Sequence, residues 1–563
     1  MSGADARALA ERLAGMSDAQ LSSLLAARRV PMQVGWRDFF DAAEALLSPE
    51  SVSTALRALP RDVLAGLASG RPVRGDGVVS SLVDAEGRRL SAVAAALAGA
   101  RFESAPHEEP AHADDTATAH AAERAFTSLA ALADVLIGAL KTPLSRVGGG
   151  AVGASDRRRL VQEEIVRDAA ELDDLVALGE TAGLLYAVER SWLVTDAGRE
   201  WIRRPTRSRW TLLVRGWRNA LPAGVRTPEG GWIAPSSWPV AYPLDPAWPD
   251  RATLWGRLAV LSGLLTPEGA EPPWAAPARR GGEPDAEGLA AFLPGEVDRV
   301  FLQNDLTAIS PGPLAPELDV RLRTMTSRES HAQASTYRFT ETTLSSAISA
   351  GETAEGIRSF LSGLSLTGIP QPLDYLLSRA DERHGLVRVS IEPESGHTIV
   401  SSRDHQLIET IGVDQALRAL GLVFEGALLR TKASRDAVYW ALADARYPVV
   451  ALDSAGDALS LHRQRLAAEG AERDPAARYA PLVARLRGAH GNDSEAAWRE
   501  RELDSAVRAK ALIVVEVAMP DGSTRELTLE ASGLGGGRLR GRDRAADVER
   551  TLPVALIRSV RPA

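Results

Sequence analysis

The arginines between positions 199 and 218 are the residues whose type and spacing offer the clearest chemistry in this sequence. Seven arginines occur there against a single acidic residue, Glu200, in a chain whose net charge is −9. Guanidinium groups bind phosphate through paired hydrogen bonds and stack on aromatic rings. We therefore predict a nucleic-acid-binding surface, formed by Arg203, Arg204, Arg207, Arg209, Arg215 and Arg218. The alternative is a solvated helix face whose arginines pair with some of the 74 carboxylates of the chain.

A helix that begins after Pro205 is expected to position these arginines. Its apolar residues recur at helical spacing and define one face, made by Trp210, Leu213, Val214, Trp217 and Leu221. Nine of the 12 tryptophans lie between Trp192 and Trp274. We predict that these tryptophans form a core and are not stacking platforms for bases.

Other residue clusters do not support a catalytic or metal site. His107 and Glu108 are followed by His112, one residue too far for the H-E-x-x-H zinc motif, and Pro110 interrupts a helix there. Gly148, Gly150 and Gly153 have the order of a dinucleotide-binding loop, but no β-α-β pattern surrounds them. We predict a loop before a helix that Ser155 caps, and we expect no metal and no cofactor.

The scarcity of two residue types excludes whole classes of chemistry. The chain has no cysteine, which excludes disulfides, thiolate nucleophiles and cysteine-based metal sites. Its lysines are Lys141, Lys432 and Lys510, and none of them lies in the G-K-S or G-K-T sequence that ends a phosphate-binding P-loop. Lys141 precedes Thr142, but Leu140 stands where the P-loop requires glycine. The other two lysines precede alanine. We therefore predict a protein that is not an enzyme. A nucleotide-dependent enzyme is the weakest alternative.

The N-terminal half is predicted to be mainly helical. Residues 1–102 are expected to form a helix-turn-helix-like domain, with Ser51 and Ser91 as helix caps, or else a generic helical bundle. Residues 103–120 are acidic and are predicted to be a linker. Residues 121–204 are predicted to form a winged-helix-like domain, whose two short strands precede a helix capped by Thr195. Residues 205–297 are predicted to be a tryptophan-rich helical connector.

The chain changes character from Val300. The segments QNDLT, SPGPL and STYRF follow one another, and PQPLDYLL comes later, before RHGLVRV. This stretch resembles the XPB-type helicase N-terminal domain of bacterial helicase-associated domain proteins. The resemblance implies a small α/β accessory domain that contacts distorted DNA, for which we expect residues 298–455. Asp381-Glu382-Arg383-His384 has the letters of a helicase D-E-x-H box, but we predict an ordinary helix end there.

The C-terminal part is predicted to contain a helical connector, 456–509, and a β domain, 510–563. Residues 511–517 and 524–529 alternate in polarity on either side of a Pro-Asp-Gly turn, as in a hairpin. The final strand R-T-L-x-x-x-x-I resembles the small β-barrel of WYL-type regulators, although the signature triplet of that family is missing. From Arg538 onward seven arginines face three acids, which suits an anionic ligand or nucleic acid, or else charges that protect a sheet edge.

Together these patterns predict an α+β multidomain protein with winged-helix or helix-turn-helix modules, an XPB-like α/β domain and a small C-terminal β-barrel. The expected function is that of a non-catalytic accessory protein that binds duplex or distorted DNA in repair or transcription. Its expected partners are DNA and a separate helicase or transcription or repair protein, with no membrane. The alternative is a protein–protein interaction scaffold or a transcriptional regulator without helicase activity. A cytoplasmic location is expected, since the longest apolar stretches are too short to span a bilayer.

Overall fold

The computed structural model describes residues 3–102, 109–329, 335–459, 461, 465–468, 475–490, 494–519 and 522–562. These residues form a mixed α+β structure with five hydrophobic cores. Within them, no helix is both long and apolar enough to cross a membrane.

The N-terminal helical unit comes first in the described chain. Its helices are α1 (Gly3–Gly15), α2 (Asp18–Ala27), α3 (Phe39–Leu46), α4 (Pro49–Arg57), α5 (Arg61–Ala68) and α6 (Ser91–Ala96). Ser48, and not Ser51, caps α4, because Pro49 occupies the first helical position and the cap must precede it. Ser91 is likewise inside α6, where its backbone N–H donates to Asp5 over 2.7 Å. Both serine caps predicted from the sequence are therefore displaced.

The predicted acidic linker is shorter than expected. Residues 103–108, which include His107, lie outside the described residues. The next residues are held against a later segment, since Glu271 donates its backbone N–H to Ala111 over 2.7 Å and accepts one from Ala113 over 3.0 Å. Asp114 then caps a helix that begins at Asp115, so the linker does not extend to position 120.

A tryptophan-rich unit follows. Its elements are α7 (Asp115–Lys141), β1 (Leu144–Ser145), α8 (Ala154–Gln162), α9 (Ala169–Thr181), β2 (Leu185–Val188), β3 (Ser191–Val194), α10 (Asp196–Trp201), α11 (Thr206–Ala220), α12 (Trp248–Leu261), α13 (Ala275–Arg279) and α14 (Ala286–Ala290). The strands form an antiparallel sheet in the order β1-β3-β2. Gly153 is the N-cap of α8, whereas Ser155, the predicted cap, lies inside the helix. The predicted Thr195 cap of α10 is confirmed.

One core runs through this whole unit, from Ala121 to Leu289. The predicted boundary between a domain ending at 204 and a separate connector has no counterpart in that core. Eight of the nine clustered tryptophans are buried in it, which confirms that they are core residues. The rings of Trp217 and Trp232 meet edge to face, with their centroids 5.2 Å apart.

The first α/β unit comprises β4 (Phe301–Leu302), β5 (Thr307–Ser310), α15 (Pro316–Leu322), β6 (Ser327–Arg328), β7 (Ser335–Arg338), α16 (Glu341–Ser349), α17 (Ala354–Leu364) and α18 (Gln371–Arg383). Its four strands pair antiparallel in the order β4-β5-β7-β6. The apolar faces of the helices pack into one core with the sheet.

The second α/β unit comprises β8 (Val387–Ile391), β9 (Thr398–Ser402), α19 (His405–Val413), β10 (Val423–Glu425), β11 (Leu428–Thr431), α20 (Arg435–Asp444), β12 (Val449–Leu452) and β13 (Ala458–Leu459). The sheet order is β10-β11-β9-β8-β12-β13, and β12 is parallel to β8. Strands β10 and β11 form a hairpin, because Gly426 takes a positive φ of 63° and reverses the chain. The core of the second α/β unit is separate from that of the first, so the region for which one domain was predicted, 298–455, contains two units.

The last elements are α21 (Pro475–Gly488), α22 (Ser494–Ala509), β14 (Leu512–Ala518), β15 (Thr524–Gly535), β16 (Arg538–Asp543), β17 (Val548–Pro553) and β18 (Ile557–Pro562). The strands form an antiparallel C-terminal sheet in the order β17-β16-β15-β14-β18. The predicted hairpin of β14 and β15 is confirmed, with Val517 opposite Arg525.

The two helices α21 and α22 are not a free connector. Tyr479 and Trp498 are buried in the core of the N-terminal helical unit. The Tyr479 hydroxyl donates to the carbonyl of Val30 over 2.7 Å. Helices almost 400 residues away from α6 in the chain therefore complete the first core.

Candidate nucleic-acid interface

The predicted arginine surface lies on α11 and on the turn that precedes it. The apolar face of α11 is buried as expected, with Trp210, Leu213, Val214 and Trp217 in the core. The six candidate arginines therefore divide according to where the helix and the turn direct them. The structure does not bring them together as one open surface.

Arg209 points into the protein. Its side chain is buried, and its guanidinium donates to the backbone carbonyls of Trp201, over 3.2 Å, and Ile202. Burial lowers the pKa of Arg209 to about 10, and the nearby carboxylates of Asp319 and Glu296 oppose that shift. Arg209 therefore holds the turn between α10 and α11 and does not form part of an exposed patch.

Most of the exposed arginines have acceptors from the protein itself. Arg207 pairs with Glu287 over 2.5 Å, and Arg215 pairs with Glu283 over 2.5 Å. Arg218 donates to the carbonyl of Gly282, and Arg204 pairs with Glu200 one turn earlier. The segment around α14 thus supplies acceptors along α11, and its glutamates neutralise two of the four arginines of that helix.

Glu283 and Glu287 are functional neighbours that the sequence argument missed. They lie 68 and 80 positions after their arginine partners. Pairs at that separation have no periodic signature, whereas i, i+4 pairs such as Arg204 and Glu200 can be read from the sequence.

Arg203 differs from the other five. It is exposed, and its side chain has no hydrogen-bond or ion-pair partner within the described part of the chain. It borders a cavity of about 340 Å³ between the tryptophan-rich unit and the first α/β unit. The other lining residues are Glu317, Leu318, Val320, Arg321, Thr324, Glu352 and Phe360.

This cavity is balanced in charge and partly apolar. Arg321 pairs with both carboxylate oxygens of Glu352 at 3.0 Å, and its guanidinium lies 4.4 Å from the ring centroid of Phe360. The hydrogen bond to Glu352 raises the pKa of Arg321. Arg203 and Arg321 face Glu317 and Glu352, so the cavity has no net positive charge with which to attract phosphate.

A buried charge network joins the same two units. Asp134 on α7 pairs with Arg323, and Arg328 Nη1 lies 3.2 Å from Asp134 Oδ2. The Tyr337 hydroxyl donates to Asp319 over 2.5 Å, and burial together with the Asp319 charge raises the pKa of Tyr337. Since charges this far from water need a close partner, the network fixes how the first α/β unit docks on α7.

Helix α9 has little capacity to attract nucleic acid. It packs against α11 and α12 and contains four acidic residues and no basic one. Asp174 accepts from Arg257 on α12 over 2.7 and 2.9 Å, and Asp173 pairs with Arg157 on α8 over 2.5 Å. All four acidic side chains of α9 are buried or half-buried, and three of them, Glu171, Asp173 and Asp174, pair with arginines. The helix therefore offers no positive charge to phosphate.

The residues with helicase-like or nucleotide-like spacing occupy ordinary structural positions. Asp381, Glu382 and Arg383 end α18, and His384 is its C-cap, as predicted. Burial lowers the pKa of His384, and the nearby Asp381 opposes this shift. Gly148–Gly150 form a short 3-10 turn after the antiparallel strand β1, so the three glycines do not open a dinucleotide-binding β-α-β unit.

One family matches part of the chain. Residues 300–424 match the family described as the helicase conserved C-terminal domain. The matched segment covers less than a quarter of the sequence. It contains the whole first α/β unit and the second unit as far as β10. No curated protein matches the chain. This segment is related to helicases, and such a domain points to association with nucleic acid.

Proposed function

We propose that this protein is a non-catalytic accessory factor that binds DNA beside a separate helicase, in repair or transcription. The observation that carries the proposal is the helicase C-terminal domain match at residues 300–424. The finer XPB-type resemblance, with its implied contact to distorted DNA, belongs to the same proposal. Its motifs occupy β5, β7 and α18 of the first α/β unit.

The positions of the lysines support the absence of a motor. Lys141 is the last residue of α7 and follows Leu140. Lys432 does lie between a strand and a helix, but Thr431 precedes it and Ala433 follows it. The Thr431 hydroxyl donates to the carbonyl of Leu420 and is not directed to a phosphate. Lys510 precedes Ala511 at the end of α22, so none of the three sits in a phosphate-binding loop.

A second candidate function is that of a protein–protein scaffold. The proposed winged helix would consist of α7, α8 and α9 with the hairpin of β2 and β3. In a helix-turn-helix, the second helix commonly enters the major groove and contacts the bases. That position is occupied by α9, which is acidic and packed against α11 and α12. This observation favours a winged-helix-like module that organises the unit and does not read bases. The WYL-like resemblance of the C-terminal sheet and the helix-turn-helix-like prediction for the N-terminal unit are compatible with either function.

The distinguishing experiment is a fluorescence-anisotropy titration of the full chain. The probes are labelled duplex, single-stranded and bubble oligonucleotides, each titrated at low salt and again at increasing NaCl. The accessory function predicts salt-dependent binding, with the bubble bound at least as tightly as the duplex. If the chain binds none of the three oligonucleotides at low salt, the accessory function is refuted. A stable co-purifying partner would then favour the scaffold.

An ATPase assay on the same preparation tests the proposal that the chain is not an enzyme. The expected result is no hydrolysis above buffer, with or without DNA. Turnover that co-purifies with the chain through successive columns would overturn this part.

A further inference from the structure

We propose that the outer face of β16 contacts the phosphate backbone of nucleic acid through Arg538 and Arg540. This inference rests on the proposed DNA association and assigns it to the C-terminal sheet, which lies outside the matched helicase segment. It places the contact far along the chain from α11, and it selects two residues from the arginine-rich segment that begins at Arg538.

The strand alternation of β16 directs its arginines to one side. Arg538, Arg540 and Arg542 are exposed, whereas Leu539 and Asp543 between and after them are buried. Residues two apart on a strand are separated by about 6.7 Å. Each guanidinium can therefore take a different phosphate of one backbone.

Ion pairs distinguish Arg538 and Arg540 from the two arginines that follow them in the chain. Arg542 pairs with Asp547 over 2.7 Å and Arg544 with Glu530 over 2.7 Å. Arg550 and Arg561 also have carboxylate partners. For the side chains of Arg538 and Arg540, by contrast, the described residues supply no hydrogen-bond or ion-pair partner. Their donors are thus available to a ligand.

The residues across the sheet explain this difference. Arg538 stands opposite Gly535 on β15 and Pro553 on β17. Arg540 stands opposite Gly533 and Thr551. None of these neighbours is acidic.

The next cross-strand position reverses the pattern. Arg542 stands between Glu530 and Glu549. The positive face is therefore confined to the end of β16 that carries Arg538 and Arg540.

The glycines also shape the surface. Gly533 and Gly535 add no side chain beside the two arginines, so a backbone can approach the sheet closely there. Thr551 adds a hydroxyl beside Arg540. The cross-strand neighbours are glycine, proline and threonine, which offer no aromatic ring for a base to stack on. We therefore expect the contact to be independent of base sequence and sensitive to salt.

The test compares two double variants of the full chain, R538A/R540A and R542A/R544A. Both remove two exposed arginines from the same sheet and change the net charge equally. Binding of labelled single-stranded and duplex oligonucleotides is measured by anisotropy across a NaCl series. The expected result is an affinity about tenfold or more lower at low salt for R538A/R540A, with a shallower salt dependence by about 1.4–1.8 in log–log slope, since two phosphate contacts are lost. R542A/R544A is expected to stay within about twofold of the unmodified chain.

Each other outcome overturns the proposal. An equal loss of affinity in both variants would mean that the total charge of the protein, and not the pair Arg538 and Arg540, determines binding. Unchanged affinity for R538A/R540A in a chain that binds DNA would refute this site and leave the proposed function intact. A chain that binds no oligonucleotide would refute both. Binding of both variants to vesicles of phosphatidylserine and phosphatidylcholine is also measured. If R538A/R540A lost vesicle binding but not oligonucleotide binding, the two arginines would be assigned to a membrane surface. Equal melting temperatures and far-ultraviolet circular dichroism show that both variants fold.

Discussion

Asp134 and Arg323 form a buried ion pair between helix α7 and the loop after α15, although they are 189 positions apart. Arg328 lies against the same carboxylate. One acidic side chain thus pairs with two arginines of the helicase-related segment and helps to hold it against the tryptophan-rich unit, in whose core Val320 is also buried.

Replacing Asp134 with Asn is expected to destabilise the protein by about 3 kcal/mol, because two poorly solvated guanidinium groups lose their main negative charge. Chemical unfolding followed by circular dichroism measures the change. Glu287→Gln is the matched control, since its ion pair with Arg207 is exposed and should contribute less than about 1 kcal/mol. Equal effects of the two substitutions would contradict the importance of the buried pair.

The ion pairs of Arg207 and Arg215 on α11 give a second prediction. The double variant R207A/R215A should bind oligonucleotides within about twofold of the unmodified chain, because Glu287 and Glu283 already occupy both guanidinium groups. The anisotropy titration described above measures this. A tenfold loss of affinity would restore α11 as the nucleic-acid surface that its composition suggested.

Glu502 predicts a pH dependence of stability. Burial raises the pKa of this α22 carboxyl to about 7, with Glu11 adding to the rise and with Arg7, 3.6 Å away, and Arg499 opposing it. Because the folded pKa lies above the ordinary value of 4.5, the folded state binds the proton more tightly. The stabilisation that protonated Glu502 contributes is therefore fully present below about pH 4.5. It is lost as the pH rises through about 7, which lowers the free energy of unfolding by up to about 3 kcal/mol.

Thermal unfolding between pH 5 and pH 8 checks the contribution of Glu502. Glu502→Gln should reduce the loss of stability across this range, whereas Glu500→Gln, an exposed position on the same helix, should leave it unchanged. A parallel pH profile for E502Q and the unmodified chain would show that another group causes the dependence.

Two core tryptophans differ in a way that substitution can reveal. Trp210 Nε1 donates to the carbonyl of Ser262 over 2.8 Å, whereas Trp217 Nε1 is buried without a hydrogen-bond partner among the described residues. Trp210→Phe is expected to destabilise the protein by about 1–2 kcal/mol more than Trp217→Phe, because it leaves a buried carbonyl without its donor.

Urea unfolding of the two variants measures this difference. Trp274→Phe is a third arm, since its Nε1 also donates to a backbone carbonyl, that of Gly263, over 2.8 Å. It should resemble Trp210→Phe. A greater loss for Trp217→Phe would show that ring packing outweighs the hydrogen bond.

Local patterns predicted much of this structure. The apolar face of α11, the Thr195 cap, the end of α18 at the D-E-x-H letters and the β14–β15 hairpin follow from spacing and capping within a few residues. Long-range packing was not readable in this way. Nothing near Tyr479 in the sequence indicates Val30 as its partner, and nothing near Arg215 indicates Glu283.

The same limit applies to the candidate site. Arginine density is a property of a segment, whereas an arginine is available to a ligand only if no carboxylate folds against it. Composition therefore placed the candidate surface on α11. Pairing across strands directs attention to Arg538 and Arg540, whose cross-strand neighbours are uncharged.

The packing of α21 and α22 on the N-terminal helical unit also affects how the chain is made. The first hundred residues emerge from the ribosome early, but their core lacks Tyr479 and Trp498 until almost 400 further residues have followed. At about 5–20 residues per second, that delay is roughly 20–80 s. The N-terminal helical unit is thus synthesised before the tryptophan-rich and α/β units but completes its core after them, and apolar surface on α2 and α3 is exposed to chaperones for that time.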